Sequence, residues 1–291
     1  MGKYPFKILP SHEDYRVGLI GSGIQESRSP LMHMREAQAQ GFSLDYQLFD
    51  LEQLNAGTEI LASLLDDIEA AGYSGLNITH PCKQAVIRYL DELSGDAAVL
   101  GAVNTVLFRD GKRLGHNTDW SGFTLGFESS LPSVDIDRVL LLGAGGAGSA
   151  VAYAMAKTGV KSLYIYDLES DKANTLSSRL SDTFPETAFI VPELIDDLIK
   201  KVDGIINTTP VGMKKYPGIP LNGDILSHQL WIADVIYFPI ETELLRLARS
   251  IGCKTMDGSS MAINQAAEAF RLFTGKKANA DRMAQTFFRE F

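Results

Sequence analysis

The sequence predicts an α/β protein of two domains, and three observations carry that expectation. Short apolar or β-branched runs alternate with helical patterns along the chain, which implies strands joined by βαβ crossovers. The 291 residues are 45% hydrophobic and 22% charged, an ordinary globular balance at a length that suits two cores better than one. A glycine-rich turn between an apolar run and an alanine-rich one falls near the middle, where a second α/β unit would open.

In the first half, residues 16–21, 44–49, 75–78 and 102–108 have the composition of strands, and 29–40, 59–71 and 83–93 the spacing of helices. Strands connected in this way pair in parallel. The second half repeats the rhythm with strands at 138–142, 162–166, 188–191, 204–207, 231–234 and 254–256. "GHNTDWSGF" opens a helix near Asp119, which sets the boundary. Residues 262–274, a helical run after the last strand, take the chain back to the first domain. The expected division is 1–119 with the C-terminal helices of 262–291 in one domain, and 120–261 in the other.

A net charge of −9 with no basic run of five argues against nucleic acid and anionic membrane surfaces as partners. The two cysteines, Cys82 and Cys253, are far apart with no CxxC spacing, so neither a disulfide framework nor a metal site is expected. Cys82 stands beside Lys83, yet a plain buried cysteine is the simpler reading than a reactive thiol. "MGKYPFKILPSHEDYRV" has charges and prolines where a secretory segment needs an apolar core, so a cytoplasmic protein is expected. Without export, the sequons at Asn77-Ile78-Thr79 and Asn207-Thr208-Thr209 mean little. Residues 139–155 carry no charge and imitate a membrane span, but "GAGGAG" in their middle calls for a turn.

That turn is Gly143-x-Gly145-x-x-Gly148, with Gly146 and Ala147 between. An apolar strand precedes it, an alanine-rich helix follows, and an acid, Asp167, closes the next strand "SLYIYD". Together these form a dinucleotide-binding fingerprint, in which glycines let the backbone approach a pyrophosphate at a helix N-terminus. A turn that binds nothing is the alternative, and the agreement of strand, helix and acid weighs against it. A carboxylate at Asp167 accepts bonds from ribose hydroxyls and repels a 2′-phosphate. Glu169 and Asp171 follow with no arginine, and only Lys172 favours NADP. NAD is therefore the expected cofactor.

Polar residues gather at the C-terminal ends of the first domain's predicted strands, where ligands bind in open α/β sheets. They are Ser27 and Ser29, Asn77 and Thr79, Lys83, Asn104 and Thr105, and Asn117 with Asp119. Hydroxyls and amides suit a polyol. Taken singly, Ser27 and Ser29 are also candidate caps for a helix near Pro30, and Asn117 or Thr118 for one near Trp120. Lys83 is harder to explain structurally, because a helix start disfavours a cation.

"SRSPLMH", "GLNITHPCK", "GAVNTV", "GHNTDWSGF", "GAGGAG", "NTTPVGM", "ADVIYFPIETELL" and "MAINQAAEAF" occur in the order found in the shikimate dehydrogenase family. The chain resembles that family from about Val17 to about Thr274, most of all its NAD-using quinate/shikimate branch. The resemblance implies a catalytic domain, a Rossmann domain and reversible oxidation of a ring hydroxyl of shikimate or quinate to the dehydro-acid. It implies Lys83 as the catalytic lysine with Asp119 as partner, the lysine trading the hydroxyl proton and, when protonated, stabilising alkoxide charge. It further implies Ser27, Ser29 and Tyr237 at the substrate carboxylate, and Thr79, Asn104 and Gln265 at ring hydroxyls. The loop 207–213 with Thr208 and Val211, and Val235, Gly258 and Met261, would line the nicotinamide end, Met261 being equally a core residue. Members specialised for shikimate usually show GxGMLxxQ where this chain has Gly258-Ser259-Ser260-Met261-Ala262. Quinate-preferring relatives often carry threonine where Ser29 stands, which leaves room for a shikimate-leaning or dual enzyme. A monomer or homodimer is expected. The competing expectations are a non-catalytic ligand sensor on the same fold, and a two-domain dehydrogenase for another small polar substrate. The first predicts decay of the lysine–aspartate pair or glycine loop, and neither is decayed.

Overall fold

The computed structural model of the chain describes residues 14–289. Most of the N-terminal segment discussed above lies outside them, as do the last two residues of the expected C-terminal helices. The chain forms two compact units: one runs to Thr118 and resumes at Ala266, and the other is Asp119–Gln265. Among the described residues, no helix is long and apolar enough to cross a membrane.

The first unit begins β1 (Tyr15–Gly21), α1 (Ser29–Ala39), β2 (Leu44–Asp50), α2 (Leu61–Ala70) and β3 (Gly75–Ile78). Strand β1 lies between β2 and β3 and is parallel to both, as crossover helices require. The apolar face of α2 (Leu61, Leu64, Leu65, Ile68) closes over Phe49, Leu76 and Ile78 in one core. The chain continues through α3 (Cys82–Ala85), β4 (Glu92–Leu93), α4 (Gly95–Leu100), β5 (Thr105–Arg109) and β6 (Lys112–His116), giving the sheet order β2-β1-β3-β5-β6-β4.

Three expectations fail here. The sheet is mixed: β5 is antiparallel to β3, and β6 to β5. The cause is a two-residue hairpin turn, Asp110-Gly111, with both residues at positive φ (52° and 71°). Asp-Gly is among the strongest hairpin signals, and it stands in "RDGKR". The helix expected over 83–93 is one turn, then a 3₁₀ turn at Ile87–Tyr89, then β4. The backbone N–H groups of Asp91 and Ser94 bond to the carbonyls of Arg113 and Gly115, a tertiary ladder that overrides local helical spacing. The strand expected from 102 starts only at Thr105, because the N–H groups of Val103 and Asn104 go to Lys83 and His116.

The second unit runs α5 (Asp119–Ser130), β7 (Arg138–Leu142), α6 (Gly146–Thr158), β8 (Ser162–Tyr166), α7 (Ser170–Ser181), β9 (Ala188–Ile190), α8 (Asp196–Ile199), β10 (Gly204–Asn207), β11 (Trp231–Asp234), α9 (Glu243–Ile251) and β12 (Lys254–Met256). Its six strands are all parallel in the order β12-β11-β10-β7-β8-β9. Buried on both faces, the central strands are continuous apolar runs with no alternation. The order reverses between β7 and β10, which makes that pair the topological switch point.

The division between the units falls within α10 (Ser259–Thr274), and α11 (Ala280–Arg289) ends the described chain. In the first unit α11 is tied to α1 through the buried carboxylate of Glu36. Arg282 meets both its oxygens, at 2.6 Å and 2.9 Å, and Gln40 and the N–H of Asn279 complete the set.

Candidate active site

The glycine loop stands at the switch point of the second unit. Gly143 has φ +95°, and a Cβ there would lie 3.1 Å from the Thr208 backbone after β10. A Cβ on Gly148 would lie 2.1 Å from the Gly143 carbonyl oxygen, so only glycine fits. The Thr208 hydroxyl lies 2.7 Å from the Leu142 carbonyl and 2.8 Å from that of Gly143, stapling the ends of β7 and β10 together. Helix α6 follows with Gly145 as N-cap and no side chain capping its first turn, which contains Gly146 and Ala147. These features form a cradle of backbone N–H groups that side chains would fill, and it fits a pyrophosphate.

Asp167 closes this cradle. One carboxylate oxygen accepts from the Ala144 N–H at 2.7 Å and the other from the Glu169 N–H at 2.9 Å. These bonds take about two of a carboxylate's four acceptor positions. The aspartate therefore latches the glycine loop to the end of β8 as well as presenting charge. Lys172 is paired with Glu169 at 2.5 Å.

At the ends of β10 and β11 the remaining cofactor candidates of this unit come together. Asn207 donates to the Val211 carbonyl and to Asp234, both at 3.1 Å, and accepts from Thr209. Gly258 lies so close to the next strand end that a Cβ would be 2.2 Å from the Val235 carbonyl oxygen. Tyr237 is 42% exposed, whereas Met261 is only 8% exposed. Ser259 bonds to Asp257 through its N–H and hydroxyl, and Ser260 lies 3.4 Å from Ser130 of α5. Ser260, which stands where the usual glycine would precede Met261, and Ser259 before it thus bond within their own unit. Asp119 is buried at the start of α5, and Gln265 donates to Ala262 one turn back in α10.

The first unit carries a chain of hydroxyls and amides across its strand ends. The Ser29 hydroxyl bonds to that of Tyr46 on β2, and Tyr46 donates to Asn77 on β3 at 2.9 Å. Asn77 donates to Thr105 on β5, Thr105 to Asn104, and Asn104 to the Thr118 hydroxyl at 3.0 Å. The Asn104 oxygen in turn accepts from the Thr118 N–H at 2.8 Å, and Asn117 donates to the Ala102 carbonyl. Desolvation drives the Tyr46 hydroxyl far above the phenol range, so it stays neutral. Both sequon asparagines, Asn77 and Asn207, are buried in these networks.

Ser27 and Ser29 do not cap α1. The N-cap is Arg28, whose side chain does not cap the helix, and the Ser27 oxygen accepts from the Ser29 N–H two residues on. The loop that carries Ser27 is held by Asp50, which is 2% exposed. Its carboxylate accepts from the N–H groups of Gly23, Ile24 and Glu52 and from the Gln25 side chain. Burial pushes the Asp50 carboxyl up, but these bonds outweigh it and hold it below its ordinary value. Thr79 and Lys83 are half-buried beyond β3, and Lys83 is fixed through its carbonyl by the Val103 N–H at 2.8 Å. Cys82 is buried, and desolvation pushes its thiol up to about 11, away from thiolate chemistry.

Tyr46, Asp50 and Asp234 are the residues that sequence reasoning missed. Tyr46 sits mid-strand like any core aromatic. Asp50 and Asp234 each end a strand, and that position was the one available signal.

Residues 19–106 match the family model described as the shikimate dehydrogenase substrate binding domain, and 258–286 match that of the shikimate 5'-dehydrogenase C-terminal domain. Residues 123–225 match the alanine dehydrogenase/PNT C-terminal domain. A shikimate dehydrogenase (NADP(+)) of Pseudarthrobacter chlorophenolicus is 46% identical over 277 residues, 94% of each chain. A quinate/shikimate dehydrogenase (NAD(+)) of Corynebacterium glutamicum is 46% identical over 274 residues, 93% of this chain and 97% of that one. The solved quinate dehydrogenase from Corynebacterium glutamicum in complex with NAD is 45% identical with a TM-score of 0.90, over 94% of this chain and 99% of that one.

Proposed function

Because this chain belongs to the shikimate dehydrogenase family, we propose that it oxidises a ring hydroxyl of quinate or shikimate, reversibly, with NAD as its preferred cofactor. Relatives of nearly equal identity are named for either nicotinamide dinucleotide, so cofactor preference has to come from this chain's own residues. Asp167 and Glu169 follow β8, and Lys172 is already paired with Glu169, which leaves a 2′-phosphate facing net negative charge.

The observation that carries the substrate reading is the hydroxyl–amide network from Ser29 to Thr118. It runs from the start of α1 through Tyr46 of β2 and Asn77 of β3 to the start of β5, a set of neutral hydrogen-bonding groups such as recognition of a polyhydroxylated ring requires. In this reading Ser27, Ser29 and Tyr237 hold the substrate carboxylate, and Thr79, Asn104 and Gln265 hold ring hydroxyls. Lys83 takes the proton of the reacting hydroxyl, with Asp119 as its carboxylate partner. In the reverse direction the ammonium returns that proton and stabilises the alkoxide. Gly143, Gly145, Gly146, Ala147 and Gly148 would hold the pyrophosphate and Asp167 the ribose, with Thr208, Val211, Val235, Gly258 and Met261 along the nicotinamide end. When bound, the nicotinamide supplies the hydride acceptor.

The test is nicotinamide absorbance with NAD or NADP against quinate, shikimate and simple polyols. Turnover of quinate or shikimate with NAD favoured is expected. Absorbance that stays flat with both acids removes the substrate assignment, and a preference for NADP removes the cofactor assignment.

A further inference from the structure

Asp234 ends β11 with 1% of its surface exposed, and it accepts three hydrogen bonds, one from its own following turn and two from other segments. One oxygen accepts from the Asn207 amide of β10 at 3.1 Å and from the Ile236 N–H at 3.0 Å, and the other accepts from the Thr242 hydroxyl at 2.8 Å. Thr242 is also the N-cap of α9, accepting from the Leu245 N–H. Through Asn207 the carboxylate reaches Val211 and Thr209, and through Ile236, whose carbonyl accepts from the Gly258 N–H, it reaches Gly258. We propose that Asp234 is a positioning residue: as a carboxylate it holds the segments carrying Thr208, Val211, Val235 and Gly258 in the register that binds the nicotinamide end, and protonation slackens them. This rests on the cofactor reading above.

Protonation replaces a charged acceptor by a neutral one and turns the oxygen that faces Thr242 into a donor, so three bonds weaken or reverse at once. Burial pushes the carboxyl up to about 6 in spite of its donors, and Asp257 adds to the rise. Asp257, on the segment after β12, is the charged group that bears on it and lies 4.0 Å from Arg249 of α9. Its other partners, Asn207 and Thr242, do not titrate.

The experiment measures dinucleotide affinity, with NAD and NADP each as probe, by quenching of protein fluorescence from about pH 8 to about pH 5. For the wild type we expect affinity to fall about three- to ten-fold as pH drops, the difference between a charged and a neutral hydrogen-bond acceptor. Asp234→Asn should be weak by the same factor at about pH 7.5 and show no acid limb, while KM for the hydroxy acid at saturating dinucleotide changes less than about two-fold. Thr242→Val, which removes one donor to the carboxylate, should move the acid limb to higher pH; it keeps the proposal testable if the asparagine variant does not fold. A residue that serves folding alone lowers the melting temperature and leaves the limb in place, and that result overturns the proposal. So does an asparagine variant that binds as the wild type does. If the wild type binds neither dinucleotide at any pH, the cofactor reading itself falls and takes this one with it.

Discussion

Lys83 stands on a single helical turn of four residues, too short for a macrodipole to make a cation unwelcome. What fixes it is local: its carbonyl is bonded by Val103, and Cys82 before it is buried. Replacing Lys83 with Ala should leave dinucleotide affinity intact and lower kcat by about 10²-fold or more, the scale of a positioned general base. A kcat near wild type would remove the lysine from the chemistry. Asp167 latches the Ala144 N–H and, in the proposed function, also presents charge to the ribose. Asp167→Ala should lose both, lowering stability by about 1–3 kcal/mol for the unpaired N–H and lowering the NAD/NADP ratio of kcat/KM. Asp167→Asn keeps an oxygen for the latch and should lower the ratio alone. The ratio has to be compared at one ionic strength, since salt screens the repulsion. An unchanged ratio in both variants would show that Asp167 does not select the cofactor.

At the level of elements, the polar network of the first unit depends on three neighbouring strands holding register, with Tyr46 of β2 at the point where it turns toward α1. Tyr46→Phe removes one oxygen and leaves the Ser29 hydroxyl and the Asn77 carbonyl oxygen each without that partner. Stability should fall by about 1–3 kcal/mol, and KM for the hydroxy acid should rise more than kcat falls, because Ser29 loses its anchor. A variant with wild-type KM would detach Ser29 from the substrate. This network also marks how far local sequence reaches. The glycine loop was legible because its strand, turn, helix and acid are contiguous, and each has a backbone reason to be what it is. Ser29, Asn77, Asn104 and Thr105 were legible as strand-end polar groups. Tyr46 was not, because its role arises from parallel pairing of β1, β2 and β3, which no local window contains. The 83–93 segment failed for the same reason, its N–H groups being taken by β6. The β5–β6 hairpin differs: Asp110-Gly111 announced it in two residues.

For the whole molecule, two buried groups set opposite dependences of stability on pH. His33 is fully buried among Tyr46, Phe270 and Phe273, with ring centroids 5.1–5.8 Å away, and neither ring nitrogen has a hydrogen-bond partner among the described residues. Desolvation lowers its pKa from 6.5 to about 3, although Glu36 works against the shift. Between those values the unfolded chain holds a proton that the fold refuses, so stability falls as pH drops below 6.5. Asp234 behaves in the opposite way. Its pKa rises from 3.8 to about 6, the fold holds a proton that the unfolded chain releases, and stability rises as pH drops through that window. Each slope is about 1.4 kcal/mol per pH unit for one proton, so from about pH 6 to about pH 4.5 the two largely cancel. His116, lowered mainly by burial, adds on the side of His33. Separating the pair gives opposite signs. In His33→Leu the aspartate is opposed only by His116, and relative to the wild type stability should shift upward as pH falls from 6 toward 4.5. In Asp234→Asn both histidines act unopposed by it, and relative to the wild type stability should shift downward over the same range by up to about 1.4 kcal/mol per pH unit. Denaturant unfolding of both variants and the wild type across that window makes the comparison. Shifts of the same sign relative to the wild type in the two variants would mean that other groups govern the acid response, and that neither His33 nor Asp234 titrates where its burial puts it.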